Sequence, residues 1–325
     1  MVSPVAETTG FCPRAGQTQK SRLNEPRNER DMHMRMMTGL FSITTGFGAV
    51  LGAGMAAAQG GGALGRPVDG ATGFQIAATE LARDVHWLDY FVLVIITVIT
   101  VFVTGLLLYA AWRFNEKRNK VPATFTHNSP LEIAWTIVPI VILVAIGAFS
   151  LPVLFKQLEI PPADITIKVT GNQWYWSYEY PDEGVAFDSF LIGEGKVMNA
   201  SVEAELVEAG YTKEDFLLAT DTAMVIPVGK IIVVQLSAAD VIHAWMVPAF
   251  GVQKSAVPGR LNNIWFKADI EGTFFGQCTS LCGKDHAYMP ITVKVVSEEA
   301  YAAWLAGEKT AALSGAAPVK VALAD

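Results

Sequence analysis

The sequence predicts a membrane protein: a two-helix transmembrane hairpin followed by an all-β domain outside the cytoplasm. Three observations carry that expectation. Of 325 residues, 51% are hydrophobic and only 17% charged, which is apolar for a soluble chain. Two apolar runs in the first half are each long enough to cross a bilayer. Beyond Pro161, short β-prone stretches separated by Gly and Pro turns fill most of the chain.

Taken in order, residues 1–58 read as a polar lead and an export signal. Arg14, Lys20, Arg22, Arg27, Arg30 and Arg35 precede a weakly apolar stretch ending in Ala56-Ala57-Ala58. Basic flank, apolar centre and small residues predict cleavage before Gln59. The lead is long for such a signal, so Met32, Met34 and Met36 are alternative starts. Removal would take Cys12 away and leave only Cys278 and Cys282, too few for a disulfide framework. Residues 59–85 form a lead, Gly/Ala/Pro-rich from Gly60 to Gly73, that reads as flexible.

Residues 86–155 carry the hairpin, with spans at about 88–114 and 132–155. Phe91 to Ala111 has no charge, and His86, Trp87 and Tyr90 suit the interfacial belt. Arg113, Lys117, Arg118 and Lys120 put the connection on the cytoplasmic side. Both outer ends then face away from the cytoplasm, in agreement with an export signal. Pro139 and Pro152 in the second run are tolerable in a membrane helix. Glu132, at the cytoplasmic start of that run, reads as an anchor at the membrane edge or as a site of proton uptake.

Residues 160–307 form the outer domain. Strands are expected at 165–170, 174–180, 223–226, 230–236, 241–247, 263–267 and 291–296, by alternation and β-branched or aromatic content. Many short strands with Gly/Pro turns imply a sandwich or barrel. Residues 191–216, with six acids, interrupt the pattern as an insertion or short helix. Residues 298–305 form a short amphipathic helix, and the Ala-rich tail, 308–325, is expected to be mobile. From residue 156 onward there are 12 Lys/Arg against 21 Asp/Glu. Such a domain attracts a basic partner or simply stays soluble, and it is a poor partner for nucleic acid.

The chemistry concentrates in residues 276–290, GQCTSLCGKDHAYMP. Cys278, Cys282, His286 and Met289 fall within twelve positions, and His243 lies on an expected strand upstream. Soft sulfur with imidazole suits copper. An upstream His with a Cys, His and Met loop is the ligand order of a blue-copper site, and the second Cys would let two thiolates bridge two ions. A disulfide and a structural zinc site are the competing readings. A membrane-anchored copper-binding or copper-delivery protein without oxidase activity also stays open. Upstream of the loop, Trp174, Trp176, Tyr178 and Tyr180 share one strand face, with Tyr175 and Ser177 on the other. Core packing accounts for such a run, and an exposed ring offering a partner a conductive contact is the alternative.

LEIAWTIVP, QWYWSYEYP, FDSF, DVIHAW, PGRLN and GQC…CG…HAYMPI, in this order and spacing, resemble subunit II of the haem–copper cytochrome c oxidases of bacteria and mitochondria. The resemblance covers residues 80 to 307. It implies a cupredoxin-like Greek-key β-barrel in the periplasm, anchored in the bacterial inner membrane. It implies a binuclear copper centre, CuA. Cys278 and Cys282 would bridge the ions, His243 and His286 would each cap one, and Met289 and the Ser280 carbonyl would be axial. Trp174 matches the tryptophan through which electrons enter. Glu179, Asp221 and Asp240 match acids of the cytochrome c docking face. Glu132 matches the mouth of a proton path into subunit I. Subunits I and III, cytochrome c and the lipid bilayer are the implied partners. Ser280 stands where the family usually has glutamate, whose carboxylate helps bind magnesium at the subunit I interface, so a weakened magnesium site is expected. Ala239 stands where a docking acid is common. Related copper loops fit less well. Thioredoxin-like chaperones place their histidine far downstream, nitrous oxide reductases lack the hairpin, and quinol oxidases lack the two cysteines.

Overall fold

The computed structural model describes residues 64–314 apart from Glu194. The expected export signal, its cleavage site and Cys12 lie outside the described residues. Helix α1, Glu80–Arg113, starts where the Thr79 hydroxyl accepts the Ala82 N–H at 3.0 Å, a standard N-cap. Helix α2, Ser129–Leu158, starts at Asn128, whose side chain accepts the Leu131 N–H, with Pro130 in the first turn. Glu132 returns the favour by accepting the Asn128 N–H at 3.2 Å. Both helices are long and apolar enough to cross a membrane. Pro139 and Pro152 lie inside α2 without ending it. Leu107, Val98, Leu143 and Val144 stand exposed on the two helices, as side chains facing lipid would.

The outer domain packs two five-stranded sheets face to face. One holds β1 (Ile165–Asn172), β2 (Tyr175–Tyr180), β3 (Val185–Ser189), β5 (Ile231–Ala238) and β8 (Asn262–Lys267), in the order β3-β2-β1-β5-β8. The other holds β4 (Met224–Pro227), β6 (His243–Val247), β7 (Val252–Ala256), β9 (Gly272–Cys278) and β10 (Pro290–Val296), in the order β4-β10-β9-β6-β7. β1 pairs in parallel with β5 and β10 with β4, so the chain crosses between distant strands. This is the two-sheet, cupredoxin-like arrangement the resemblance implied. Alternation is visible in β2, where Trp176, Tyr178 and Tyr180 are buried and Glu179 is exposed. β10 is buried along its whole length, as a strand covered on both faces must be.

Several expectations needed correction. Trp174 does not share the buried face of β2. It lies in the turn before the strand and is half-buried. Strands β3, β7 and β9 were not expected, because they are short, polar or interrupted by glycine. The lead is tied down from Leu64 rather than loose: Gly65 accepts the Phe275 N–H at 2.9 Å, and the Ala78 N–H reaches the Ala249 carbonyl at 2.8 Å. The 191–216 segment contains helix α3 (Ala200–Glu208), packed through Val202 and Leu206. The C-terminal helix α4 (Glu298–Ser314) runs past the expected end at residue 305. Alanine favours its continuation, and Lys309 pairs with Glu183 at 3.0 Å.

One junction joins hairpin to sandwich. Lys156, near the end of α2, reaches Glu80 and Asp84 of α1, both at 2.6 Å. Its backbone carbonyl accepts the Trp265 indole N–H of β8 at 3.1 Å. Arg83 pairs with Asp269 at 2.6 Å, and the Thr79 hydroxyl donates to the Phe250 carbonyl at 2.7 Å.

Candidate metal centre

Each sulfur and nitrogen arrives on a different piece of the same sheet. Cys278 closes β9, directly across from Trp245 of β6, and His243 opens β6. Cys282, His286 and Met289 follow in the loop that leads back into β10. The strand ends fix the first two donors, and the loop folds the rest over them.

The distances bring the whole expected set together. The two sulfurs lie 4.0 Å apart, about twice the S–S bond length of roughly 2.05 Å, and both thiols are free. Two thiolates sharing an ion at roughly 2.3 Å each cannot be farther apart than ~4.6 Å, and this pair meets that limit. His243 Nδ1 is 4.0 Å from the Cys278 sulfur, and His286 Nδ1 is 3.5 Å from the Cys282 sulfur. Met289 Sδ is 3.5 Å from the Cys282 sulfur, and the Ser280 carbonyl is 3.3 Å from that of Cys278. The donor atoms of His243, Cys278 and Cys282 all lie within 4.8 Å of one another, and among the described residues they form the one such cluster. Each cysteine thus has its own imidazole. Soft sulfur and imidazole fit copper.

The surroundings hold the donors still. His243 is fully buried, and its Nε2 faces Asp240 Oδ1 at 2.8 Å. A carboxylate on the far nitrogen fixes ring orientation and leaves Nδ1 for the site. Asp240 Oδ2 also accepts the Gln173 N–H at 2.7 Å. The Gln173 amide and the Trp174 indole N–H both donate to the Cys282 carbonyl, at 2.8 and 3.2 Å. Gly171 lies under the imidazole, where a Cβ would come 2.9 Å from its ring atoms. A site residue that sequence reasoning left in the general core is Trp176. It is fully buried, its ring packs edge-on 5.9 Å from that of His243, and its N–H donates to the Met289 carbonyl at 3.3 Å. Its place two residues after Trp174 was the available signal.

Protonation follows the same contacts. Burial pushes the Cys278 thiol up, but the His243 ring and backbone hydrogen bonds at Ala244 and Ser280 bring it down to about 7. Burial and the neighbouring Cys278 charge push Cys282 up to about 12. Burial works against charge on His243, yet its contacts with Cys278 and Asp240 raise it above the usual value. Burial holds a proton on Cys282 that a metal bound to both sulfurs would displace.

The remaining expected residues lie apart from this cluster. Glu179 is exposed on β2 and pairs with Lys168 at 2.8 Å. Asp221 accepts the Phe190 and Thr222 N–H groups, at 2.8 and 2.7 Å. Glu132 sits at the opposite end of the hairpin, in the first turn of α2.

Residues 165–296 match the sequence profile of the cytochrome c oxidase subunit II periplasmic domain, and residues 67–153 match that of its transmembrane domain. The chain is 65% identical over 279 residues to cytochrome c oxidase subunit 2 of Cereibacter sphaeroides, covering 84% of this chain and 92% of that one. It is 38% identical over 244 residues to the Arabidopsis thaliana subunit 2, covering 73% and 88%. Among solved structures, the periplasmic domain of subunit II of cytochrome oxidase from Bradyrhizobium japonicum is 48% identical. That match covers 47% of this chain and 98% of the other, with a TM-score of 0.40.

Proposed function

We infer the finer chemistry from a plain premise: the chain belongs to the cytochrome c oxidase subunit II family. It is a subunit of an oxidase complex, and the periplasmic domain of its family binds copper. We propose that this subunit accepts electrons from cytochrome c and passes them to haem in subunit I, with subunit III as a further neighbour, for oxygen reduction coupled to proton pumping. The protein lies in the bacterial inner membrane with its sandwich in the periplasm.

Bound copper, as two ions, would supply a one-electron carrier whose charge change is spread over both metals and both thiolates. Cys278, Cys282, His243 and His286, with Met289 and the Ser280 carbonyl, would hold the ions. The observation that supports two ions is the one imidazole beside each of two unbonded sulfurs 4.0 Å apart. Asp240 holds His243 in register. Ser280 offers its carbonyl to copper and no carboxylate to magnesium. Glu132 marks the mouth of a proton path, and Glu179, Asp221 and Asp240 belong to the docking face.

The full chain, purified in detergent and loaded with copper, is expected to hold two ions and to give a paramagnetic signal spread over two copper nuclei. One ion per chain, or a signal confined to one nucleus, would sink the binuclear reading. Trp174 is the residue through which electrons enter, since its indole N–H touches the Cys282 carbonyl while its ring stays half-exposed. Trp174→Phe is expected to slow electron input from cytochrome c by tenfold or more, about 1.4 kcal/mol, with copper content unchanged. Rapid-mixing kinetics checks this, and an unaltered rate would remove Trp174 from the path.

A further inference from the structure

The two histidines of the centre are held by different means. His243 is buried, and Asp240 braces its ring. His286 is half-buried and rides on one short helical turn, His286–Tyr288. Backbone support there is slight. The His286 N–H reaches the Gly283 carbonyl at 3.3 Å, and the Tyr288 N–H reaches the Asp285 carbonyl at 2.8 Å. Asp285 opens the turn without capping it through its side chain. Its carboxylate pairs instead with the ammonium of Lys196. The same ammonium lies 4.1 Å from the centre of the Tyr288 ring, within reach of a cation–π contact. Asp285 immediately precedes His286, and Tyr288 immediately precedes Met289. One side chain therefore grips the turn at both ends, next to each of two donors. Lys284 also approaches Asp285, at 3.9 Å, but its side chain is 78% exposed against 31% for Lys196. Water screens the more exposed pair, so Lys196 makes the stronger contact.

Lys196 is itself firmly placed. Gly193 and Gly195 take positive φ, and Lys196 follows them at 58°, an uncommon conformation for a residue with a Cβ. Its N–H closes a turn onto the Gly193 carbonyl at 3.0 Å. A Cβ on Gly193 would come 3.0 Å from Val202 and 3.1 Å from Phe216, so the turn is packed down against its neighbours. Val202 and Leu206 of α3 belong to the same buried cluster as Phe275 of β9, and β9 ends at Cys278. The 191–216 segment thus links the strand that carries one sulfur to the turn that carries His286.

We propose that Lys196 is a positioning residue of the metal centre: its ammonium clamps Asp285 and Tyr288 and so fixes the turn that presents His286 and Met289. This role rests on the reading that the loop holds copper. It adds a support from outside the loop, supplied by the 191–216 segment. Without the clamp, the turn opens more often, and the ligands on it let go of the metal sooner.

The test uses the full chain in detergent. With copper bound, its release to a chelator is expected to be about fivefold faster in Lys196→Gln. Lys196→Arg keeps a cation that can pair and stack, and it should release copper at close to the unaltered rate. Asp285→Asn should speed release by less than Lys196→Gln, since the ring contact remains. Adding Asp285→Asn to Lys196→Gln should change little more, because the two side chains share one contact. With copper removed, amide hydrogen exchange at His286 and Tyr288 should rise in Lys196→Gln while β6 and β9 exchange as before, the mark of a local opening. Unchanged release and exchange in Lys196→Gln, or fully additive effects of the two substitutions, would overturn the clamp. Faster exchange spread evenly over both sheets would do the same, as a general weakening of the fold. If the unaltered chain retains no copper, the metal reading fails instead, and exchange in the metal-free chain still decides whether Lys196 holds the turn.

Discussion

Cys278→Ser is expected to abolish copper binding at the proposed centre and to remove the stability that copper confers. A serine hydroxyl stays protonated where the Cys278 thiol ionises, and it presents hard oxygen where a soft ion needs sulfur. The change also leaves His243 Nδ1, 4.0 Å away, facing a group that no longer shares an ion with it. A ligand held at a thousand times its dissociation constant stabilises the folded state by about 4 kcal/mol. The unaltered chain should therefore melt at a higher temperature with copper than without, and the variant should melt alike in both. Copper content and paired thermal melts check this. A variant that keeps its full copper content would show that Cys278 is not a ligand.

Trp176→Ala carries the second large effect. The indole is fully buried beneath the site, edge-on to His243, and its N–H is spent on the Met289 carbonyl. Emptying such a position costs about 3–5 kcal/mol in lost burial and residual cavity, and it strands a carbonyl at the end of the ligand loop. Denaturant unfolding should show the loss at unchanged slope, and copper affinity should fall with it. A loss below about 1 kcal/mol would mean that neighbouring side chains collapse into the space. Two residues apart, one indole is buried beneath the site and the other stands half-exposed beside it.

Much of this was legible in the sequence. Charge-free runs with basic connections mark a hairpin because lipid leaves a chain few alternatives. Seven of the ten strands announced themselves by alternation or by β-branched runs. β9 did not, because Gly272 and Gly276 break its pattern. Gly276 is required there because the Met246 carbonyl occupies the space a Cβ would need, 2.0 Å away. That constraint comes from a strand thirty residues distant. The donor set was legible because a loop can only gather what lies on it, and because His243 stood on a strand that must end nearby. Less visible were the groups that orient the donors. Asp240 read as a surface acid, yet its carboxylate is turned inward onto His243. Trp174 read as one more member of an alternating strand, and only the turn before β2 takes it off the buried face. Sequence periodicity reports which face a residue is on, and it is silent about what a side chain at the edge bends back to touch.

The ammonium of Lys156 grips two carboxylates of α1 while its own carbonyl grips Trp265 of the sandwich. A redox centre perched above a bilayer would sway if its stalk were a free linker, and tunnelling through protein weakens exponentially with every added ångström. Here the stalk is tied at that corner through both a side chain and a backbone carbonyl, so the height and tilt of the candidate metal centre are inherited from the helices in the lipid.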